Sequence, residues 1–336
     1  MRFRLSVVEQ SPVRKGGSGA DALRETIELA RAAEALGYER FWVAEHHNIP
    51  SIASTSPEIL IGQIGAATTT IRIGSGGVML PHYSAFKVAE NFRMLETLFP
   101  GRVDLGLGRA PGGDPRTAAA LAYPRAPIDI RAYPEQVEDL IGFLGDRLPP
   151  EHPFSELRPG PRTPGEPEIW LLGSGIDSAR LAARRGLAFS FAHFFGQAEK
   201  GPEIVEYYRR HFRPSRECAE PRVHVAVQVM CAETQEEAEW HASSLRLGRI
   251  QMARNERRDG IVSPEEASRH VFTPEELRFL ERSGMRGTTG DPARVAAELE
   301  ALAQRYATDQ FGIVTICYDW KARLRSYELL AAALLG

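Results

Sequence analysis

Residues 71–114, IRIGSGGVMLPHYSAFKVAENFRMLETLFPGRVDLGLGRAPGGD, decide the fold. Alternating apolar residues at the start predict a strand that enters a glycine turn at 74–77. Apolar residues then recur at helical spacing over 85–99, and a second alternating run over 103–108 predicts another strand, which ends at Arg109. Two parallel strands joined by a helix require this order, so the stretch predicts a strand–helix–strand unit.

The same alternation of strands and helices continues along the chain. Strands are predicted at 3–8, 41–44, 71–73, 103–107, 169–172, 187–191, 223–229 and 311–316, with a helix after each. Eight such units favour a (β/α)8 TIM barrel over an open doubly wound sheet. We therefore expect a single domain over 1–336, with excursions from the barrel at about 148–167 and 248–289.

The composition is that of an ordinary globular protein of 336 residues, 43% hydrophobic and 25% charged. A net charge of −3 without a long basic run argues against nucleic acid or an acidic membrane as a partner. No apolar run approaches the roughly 20 residues that span a bilayer, and the apolar run at the N-terminus is too short for a signal peptide. Three widely spaced cysteines indicate a reducing compartment and no zinc site. We expect a cytoplasmic protein.

Two adjacent histidines, His46 and His47, follow the second predicted strand, directly after Glu45. Near a barrel mouth they could bind a metal ion, act as acid or base, or pack within a loop. A metal site is the weaker of the functional alternatives, because adjacent residues of a strand point in opposite directions. The spacing leaves acid–base chemistry and loop packing open.

Arg109 and a short glycine turn are candidates for binding a phosphate. A guanidinium at a strand end can hold a phosphate by two hydrogen bonds, and the alternative for Arg109 is a salt bridge to Asp104 or Asp114. Gly173-Ser174-Gly175 lies between a strand and a helix, with Ser178 one helical turn further on. Free backbone N–H groups at a helix start attract phosphate, whereas many such turns only change the direction of the chain.

Two further segments could contribute to a ligand site. Residues 74–77 are three glycines and one serine, so a flat ligand could lie against their backbone, although many turns simply need glycine. His193, Phe194 and Phe195 follow the sixth strand and could line a pocket. Aromatic residues at such positions belong more often to the core.

Four motifs in order, FWVAEHH, IRIGSGGVMLP, PGRVDLGLGRAPG and IWLLGSG, resemble the bacterial luciferase-like family of flavin-dependent monooxygenases. The resemblance covers most of the chain and is weakest at 148–167 and 248–289. It implies a (β/α)8 barrel, usually dimeric, that binds a flavin at its C-terminal mouth. The site residues that it implies are the active-site histidine at His46, a non-prolyl cis peptide under the flavin at Gly76–Gly77, and phosphate ligands at Arg109, Ser174, Gly175 and Ser178.

Two positions depart from the family pattern. Gly175 stands where family members often carry serine, which leaves only a backbone donor. Gly108 stands where the luciferases themselves carry a reactive cysteine, so light emission is not implied.

The function implied by the resemblance is oxidation of a small organic substrate, an aldehyde, ketone or aromatic metabolite, with molecular oxygen. Reduced FMN would come from a separate flavin reductase, His46 would assist proton transfer, and the 248–289 excursion would exclude water. Two alternatives are a deazaflavin-dependent dehydrogenase of the same fold and a flavin-binding barrel without catalytic activity. A metal-dependent hydrolase is a more distant alternative, and we expect no metal ligands.

Overall fold

The computed structural model describes residues 2–110, 112–162, 164–195, 198–254, 256, 259–282 and 287–336. The strands are β1 (Arg4–Glu9), β2 (Arg40–Val43), β3 (Arg72–Ser75), β4 (Val78–Met79), β5 (Val103–Gly108), β6 (Glu168–Gly173), β7 (Ala188–Ala192), β8 (Val223–Cys231), β9 (Gly287–Gly290) and β10 (Gln310–Val314). The α-helices are α1 (Gly19–Ala35), α2 (Pro57–Ala67), α3 (Ala85–Leu98), α4 (Pro115–Ala122), α5 (Tyr133–Leu144), α6 (Ile176–Arg185), α7 (Gly201–His211), α8 (Gln235–Ala253), α9 (Pro264–Ala267), α10 (Pro274–Arg282), α11 (Pro292–Tyr306) and α12 (Trp320–Leu334).

Eight of these strands close into a parallel barrel, in the order β1-β2-β3-β5-β6-β7-β8-β10. β10 pairs with β8 on one side and with β1 on the other, which completes the ring. Helices connect consecutive barrel strands, so the predicted (β/α)8 TIM barrel is confirmed. None of the helices in the described part of the chain is long and apolar enough to cross a bilayer.

The two remaining strands extend the barrel wall on its C-terminal side. β4 continues the line of β3 after an interruption at Gly76–Gly77, and it pairs with the upper part of β5. β9 pairs with the upper half of β8, from Gln228 onward, whereas β7 pairs with the lower half. β9 therefore covers the edge of β8 that β7 leaves bare.

The predicted excursions agree only in part with the structure. At 148–167 the described residues form turns without a helix or strand. The second excursion, predicted to begin at about residue 248, starts within a regular helix, because α8 runs on to Ala253. It also contains β9, a strand that was not predicted. The sequence of β9, GTTG, has no apolar alternation from which a strand could be predicted. Residues 163, 255, 257, 258 and 283–286 of these excursions lie outside the described residues.

The core has an outer shell between sheet and helices and a smaller cluster inside the barrel. Strand residues alternate between the two, because successive side chains point to opposite faces of a strand. The interior cluster contains the buried residues Val8, Trp42, Trp170, Ala188, Cys218, Ala226 and Val314. The barrel is thus filled by side chains below its mouth.

Charged side chains close the N-terminal end of the barrel, and we call them the floor network. Asp104 is fully buried and accepts hydrogen bonds from Arg40 Nη1 at 2.7 Å, from Arg72 Nη2 at 2.5 Å and from Trp42 Nε1 at 2.8 Å. Glu168 forms ion pairs with Arg40 at 3.1 Å and with Arg222 at 2.8 Å. Burial opposes its ionisation, but the guanidinium of Arg40 and then that of Arg222 hold the pKa of Glu168 below its usual value.

Candidate active site

The predicted site residues follow four neighbouring strands at the C-terminal end of the barrel. His46 follows β2, Gly76 and Gly77 follow β3, Arg109 follows β5, and Ser174 follows β6. These strands are adjacent in the barrel, so their ends lie along one part of the rim. Loops at this end of a (β/α)8 barrel carry the active sites of such enzymes.

Glu45 anchors the segment that follows β2. Its fully buried carboxylate accepts hydrogen bonds from His47 Nε2 at 2.7 Å, from the backbone N–H of Met79 at 2.8 Å and from the hydroxyl of Tyr83 at 2.6 Å. His47 is itself buried, and its imidazole is held by the carboxylate two residues earlier. The structure therefore places His47 in the packing that supports the rim.

His46 points the other way and reaches the end of β1. Its Nε2 lies 3.0 Å from Oε1 of Gln10, within hydrogen-bond distance. Burial lowers the pKa of His46 below its usual value of 6.5. The imidazole is therefore largely neutral at pH 7, the form in which it can accept a proton. Nothing in the sequence pointed to Gln10, because its contact with His46 depends on the pairing of β1 with β2.

The peptide bond between Gly76 and Gly77 is cis, as the resemblance implied. A Cβ atom on Gly77 would lie 2.6 Å from the carbonyl oxygen of Gly106, and one on Gly76 would lie 3.1 Å from Cβ of Trp42. Side chains do not fit at these positions without movement of the backbone or of the interior cluster. The segment that follows β3 is therefore backbone without side chains at these two positions.

Close approach of β3 and β5 excludes side chains below the rim as well. A Cβ atom on Gly74 would lie 2.3 Å from the carbonyl oxygen of Asp104, and one on Gly106 would lie 2.1 Å from that of Ser75. The predicted strands at 71–73 and 103–107 thus owe their spacing to glycine.

Arg109 and Ser178 line a common pocket of about 260 Å³ beside the start of α6. We call it the α6 pocket; Tyr133 and Asp177 also line it. Arg109 Nη1 lies 3.7 Å from Oδ2 of Asp177, and both side chains are about half exposed. The guanidinium is therefore weakly held and accessible at the pocket.

The alternative partners that the sequence offered for Arg109 were wrong. Asp104 belongs to the floor network at the opposite end of the barrel. Asp114 caps α4, where its carboxylate accepts from the backbone N–H of Thr117 at 2.9 Å. Asp177 becomes the partner because α6 begins beside the end of β5, a proximity that only the folded barrel creates.

Tyr133 is a residue of the α6 pocket that sequence reasoning missed, and its hydroxyl is the atom of interest. It is buried and has no hydrogen-bond partner in the described part of the chain. Burial raises the pKa of Tyr133 above its usual value, so the hydroxyl keeps its proton and can donate. A buried polar group without a partner is costly, which makes it a marker for a ligand. Tyr133 is the first residue of α5, and nothing in the sequence around it indicates a ligand site.

The predicted glycine–serine turn lies at the start of α6. Gly175 is the N-cap residue, and a Cβ atom added there would meet nothing within 4 Å. Ser178 is buried, and its hydroxyl lies against Gly173, where an added Cβ would come within 2.2 Å of the oxygen. Ser174 is half-buried between them. The structure brings Arg109 and Ser178 to one pocket and leaves open space next to the helix start.

A larger cavity of about 940 Å³ lies between β8, β9, α8, α10 and α11, and we call it the α8 cavity. Its apolar wall includes Met230, Ala242, Leu245, Phe272, Leu277 and Ile316. The three residues that follow β7 have three different environments. His193 lines the cavity and bonds through Nδ1 to the hydroxyl of Tyr306 at 2.8 Å, Phe194 packs on the interior cluster, and Phe195 is exposed.

Metal-ligating side chains do not cluster in the part of the chain that is described. No group of three or more His, Cys, Asp or Glu residues is placed there to hold a metal ion. The two histidines after β2 instead contact an amide and a carboxylate.

Comparison with known proteins gives a family for this chain. The family model described as luciferase-like monooxygenase matches residues 1–309. The N-acetyl-S-alkylcysteine monooxygenase of Bacillus subtilis (strain 168) is 39% identical over 339 residues, which cover 99% of this chain and 99% of that protein. The crystal structure of apo-MsnO8 superposes with a TM-score of 0.91 at 40% identity and covers 98% of both chains.

A more distant solved structure shares the fold alone. It is the oxygenating constituent of 3,6-diketocamphane monooxygenase from Pseudomonas putida in complex with FMN, with a TM-score of 0.72 at 18% identity, covering 100% of this chain and 98% of that one. The family match and the relative at 39% identity extend over nearly the whole barrel. The chain belongs to the luciferase-like monooxygenase family.

Proposed function

We propose that this protein is a flavin-dependent monooxygenase that uses reduced FMN and molecular oxygen to oxidise a small organic substrate. The observation that carries the proposal is the α6 pocket, where Arg109, Tyr133 and Ser178 line one small space and the hydroxyl of Tyr133 has no hydrogen-bond partner among the described residues. Membership of the family supports the oxygenase chemistry.

The α6 pocket fits the terminal phosphate of FMN. Arg109 supplies a charged donor, and such hydrogen bonds to phosphate are stronger than neutral ones. The start of α6 presents backbone N–H groups, and the open space at Gly175 lets an anion approach them. The Tyr133 hydroxyl would gain a partner that none of the described residues provides. Ser174, Gly175 and Ser178 complete the proposed phosphate site.

The flavin ring is proposed to lie against the backbone of Gly76 and Gly77. Neither Gly76 nor Gly77 carries a side chain that a flat ring would have to displace, and close packing against Trp42 and Gly106 requires glycine at both positions. Bound reduced FMN supplies the electrons that activate oxygen. Deazaflavin remains the less favoured cofactor.

His46 is the proposed acid–base residue. Burial keeps its imidazole neutral near pH 7, and the contact with Gln10 fixes the orientation of the ring at the mouth. A neutral, oriented imidazole can take up a proton during oxygen transfer and return it afterwards. His47 is held by Glu45 and takes no part in this proposal.

The organic substrate is proposed from the family and from one relative. Aldehydes, ketones and aromatic metabolites fit the resemblance, and the relative from Bacillus subtilis adds a thioether as a candidate. A separate flavin reductase is the proposed source of reduced FMN.

A homodimer is proposed through the outer face of α2 and α3. Ile59 is 72% exposed on α2, and Met94 and Leu98 are 56% and 62% exposed on α3. Large apolar side chains exposed on adjacent helices mark a surface that another molecule covers. Leu98→Glu is expected to shift the protein towards monomers in analytical ultracentrifugation, and an unchanged sedimentation coefficient would contradict this surface.

Equilibrium titration with FMN tests the proposed phosphate site. Arg109→Gln is expected to weaken FMN binding by about 1.5–3 kcal/mol, because a charge-assisted hydrogen bond is lost. Arg180→Gln is the matched control, since Arg180 contacts the same Asp177 at 2.9 Å but does not line the α6 pocket. Equal FMN affinity of Arg109→Gln and the wild type would remove Arg109 from the site.

Turnover assays test the reaction class. With a flavin reductase, NADH, FMN and the protein, oxygen consumption coupled to an oxygenated product is expected for N-acetyl-S-alkylcysteine or an aldehyde. Alcohol oxidation that reduces deazaflavin without oxygen would instead support the dehydrogenase. Flavin binding without product from any of these substrates would favour a non-catalytic barrel.

A further inference from the structure

Asp177 brings a negative charge to the α6 pocket, the proposed phosphate site. Among the described residues that line this pocket, it is the only one with a carboxylate. Its Oδ2 lies 3.7 Å from Nη1 of Arg109, and it occupies the first turn of α6. The buried hydroxyl of Tyr133, which has no partner among the described residues, marks the same pocket as a ligand site. Asp177 therefore stands at both groups that attract an anion here, a guanidinium and a helix start.

The two arginines of the α6 pocket are held by their carboxylate partners to different degrees. Nε of Arg131 lies 3.0 Å from Oδ1 and 2.9 Å from Oδ2 of Asp129, two residues earlier in the chain. The 3.7 Å between Arg109 and Asp177 is too long for a hydrogen bond, so their attraction is between charges alone. Arg109 can therefore bind another anion without losing a hydrogen bond to Asp177.

Asp177 has a second partner outside the α6 pocket. Its Oδ1 accepts a hydrogen bond from Nη1 of Arg180 at 2.9 Å, and Arg180 is not among the residues that line the pocket. If Arg109 binds a phosphate, Asp177 keeps this partner, so the exchange leaves neither side chain without an opposite charge. The carboxylate then stays next to a phosphate monoester, which carries a charge of about −1.5 to −2 at pH 7.

We infer that Asp177 lowers the affinity of the α6 pocket for the phosphate of FMN, because it repels the phosphate and competes with it for Arg109. The inference rests on the proposed function and deepens it, since it names the residue that regulates cofactor affinity at the same site. A like charge built into a site is a general means of weakening a ligand. A protein that takes reduced FMN from a separate reductase must also release the oxidised form, and a moderate affinity permits both.

Equilibrium titration of the full chain with FMN and with riboflavin tests this inference. The two ligands share the flavin ring and the ribityl chain and differ only in the phosphate. Asp177→Asn removes the charge and keeps an oxygen that can accept from Arg180. This variant is expected to bind FMN about five- to twentyfold more tightly than the wild type, the scale of repulsion between charges a few ångströms apart at a solvent-exposed site. Its affinity for riboflavin is expected to stay within about twofold of the wild-type value.

Two further variants control for side-chain identity and for net charge. Asp177→Glu keeps the charge and is expected to bind FMN as the wild type does. Glu203→Gln removes an exposed acidic residue from the first turn of the neighbouring helix α7, away from the residues that line the α6 pocket. It should leave FMN affinity unchanged. A gain in Glu203→Gln equal to that in Asp177→Asn would be a general effect of net charge and would overturn the inference.

Riboflavin separates this inference from the proposed function. A wild type that prefers FMN to riboflavin, with no increase of this preference in Asp177→Asn, would overturn the inference and leave the proposed phosphate site standing. An equal gain for FMN and riboflavin in Asp177→Asn would also overturn it, because the effect would not act on the phosphate. Equal affinity of the two ligands for both the wild type and the variant would contradict the proposed phosphate site and the inference with it.

Discussion

Asp104 at the floor of the barrel and Tyr133 at its mouth are both buried, but they differ in their hydrogen-bond partners. At the floor, Asp104 is fully buried and is bonded to Arg40, Arg72 and Trp42. At the mouth, the buried hydroxyl of Tyr133 has no partner in the described chain. Groups that the chain itself satisfies stabilise the fold, whereas a group left without a partner is available to a ligand. Substitutions at the two ends should therefore affect different measurements.

The largest expected effect is on turnover and lies at the mouth. His46→Ala should lose about a hundred- to ten-thousandfold in single-turnover rate, the usual contribution of an acid–base group, while it still binds FMN. His47→Ala should instead lower thermal stability, because His47 is bonded to the buried Glu45. Single-turnover rates and FMN affinities of both variants decide the matter. Loss of turnover in His47→Ala alone would mean that the assignment is wrong by one residue.

At the floor the expected effect is on folding. Asp104→Asn leaves Arg40 and Arg72 without their shared carboxylate, and breaking a buried ion pair costs about 3–5 kcal/mol in the free energy of unfolding. Urea denaturation at pH 7 measures this loss. Glu206→Gln, which breaks the exposed pair with Arg210, should cost at most about 0.5 kcal/mol. Similar losses in both variants would remove the distinction between the floor and an ordinary surface.

A buried histidine inside the barrel, His224, should make the free energy of unfolding depend on pH. Burial, and then the charge of Arg40, lowers the pKa of His224 to about 3, and its Nδ1 bonds to the hydroxyl of Ser190 at 2.8 Å. Between pH 6.5 and 3 the unfolded chain binds a proton that the folded chain does not, so stability falls as the pH falls. From pH 6.5 to 5 this group alone should remove about 1.5 kcal/mol.

His224→Gln tests that expectation. The free energy of unfolding of the variant should depend less on pH over this interval than that of the wild type, whatever its absolute stability. Urea denaturation at pH 5.0, 5.5, 6.0 and 6.5 provides the comparison. Parallel curves would mean that His224 is not the group held neutral.

The smallest expected effect follows from removing one hydroxyl at the mouth, which should weaken FMN binding without lowering the stability of the ligand-free protein. Tyr133→Phe should weaken FMN binding by about 0.5–1.5 kcal/mol, the net value of one hydrogen bond. The ligand-free variant should be at least as stable as the wild type, because a buried hydroxyl without a partner has been removed. A destabilised ligand-free variant would indicate that the hydroxyl has a partner within the folded chain.

The fold was largely predictable because local patterns determine it. Alternation over 103–107 and helical spacing over 85–99 correspond to β5 and α3 within one or two residues. β4 and β9 escaped prediction because one has two residues and the other is GTTG, so neither carries a periodic signal.

The site was predictable only where motif residues themselves contribute. Arg109 and Ser178 lie in one pocket, although their role in binding FMN stays a prediction. Tyr133 could not be found, because its isolation results from the convergence of α5, α6 and the end of β5.

The glycines along β3 and β5 have a consequence for directed evolution. A Cβ atom added at Gly74 or Gly106 would lie 2.3 or 2.1 Å from a backbone oxygen, so a randomised library should return almost only glycine at these two codons. Gly175 has open space around it, and the same library should accept serine there freely. Substitutions that alter affinity for the cofactor would then accumulate at the start of α6, while the glycines of β3 and β5 stay unchanged.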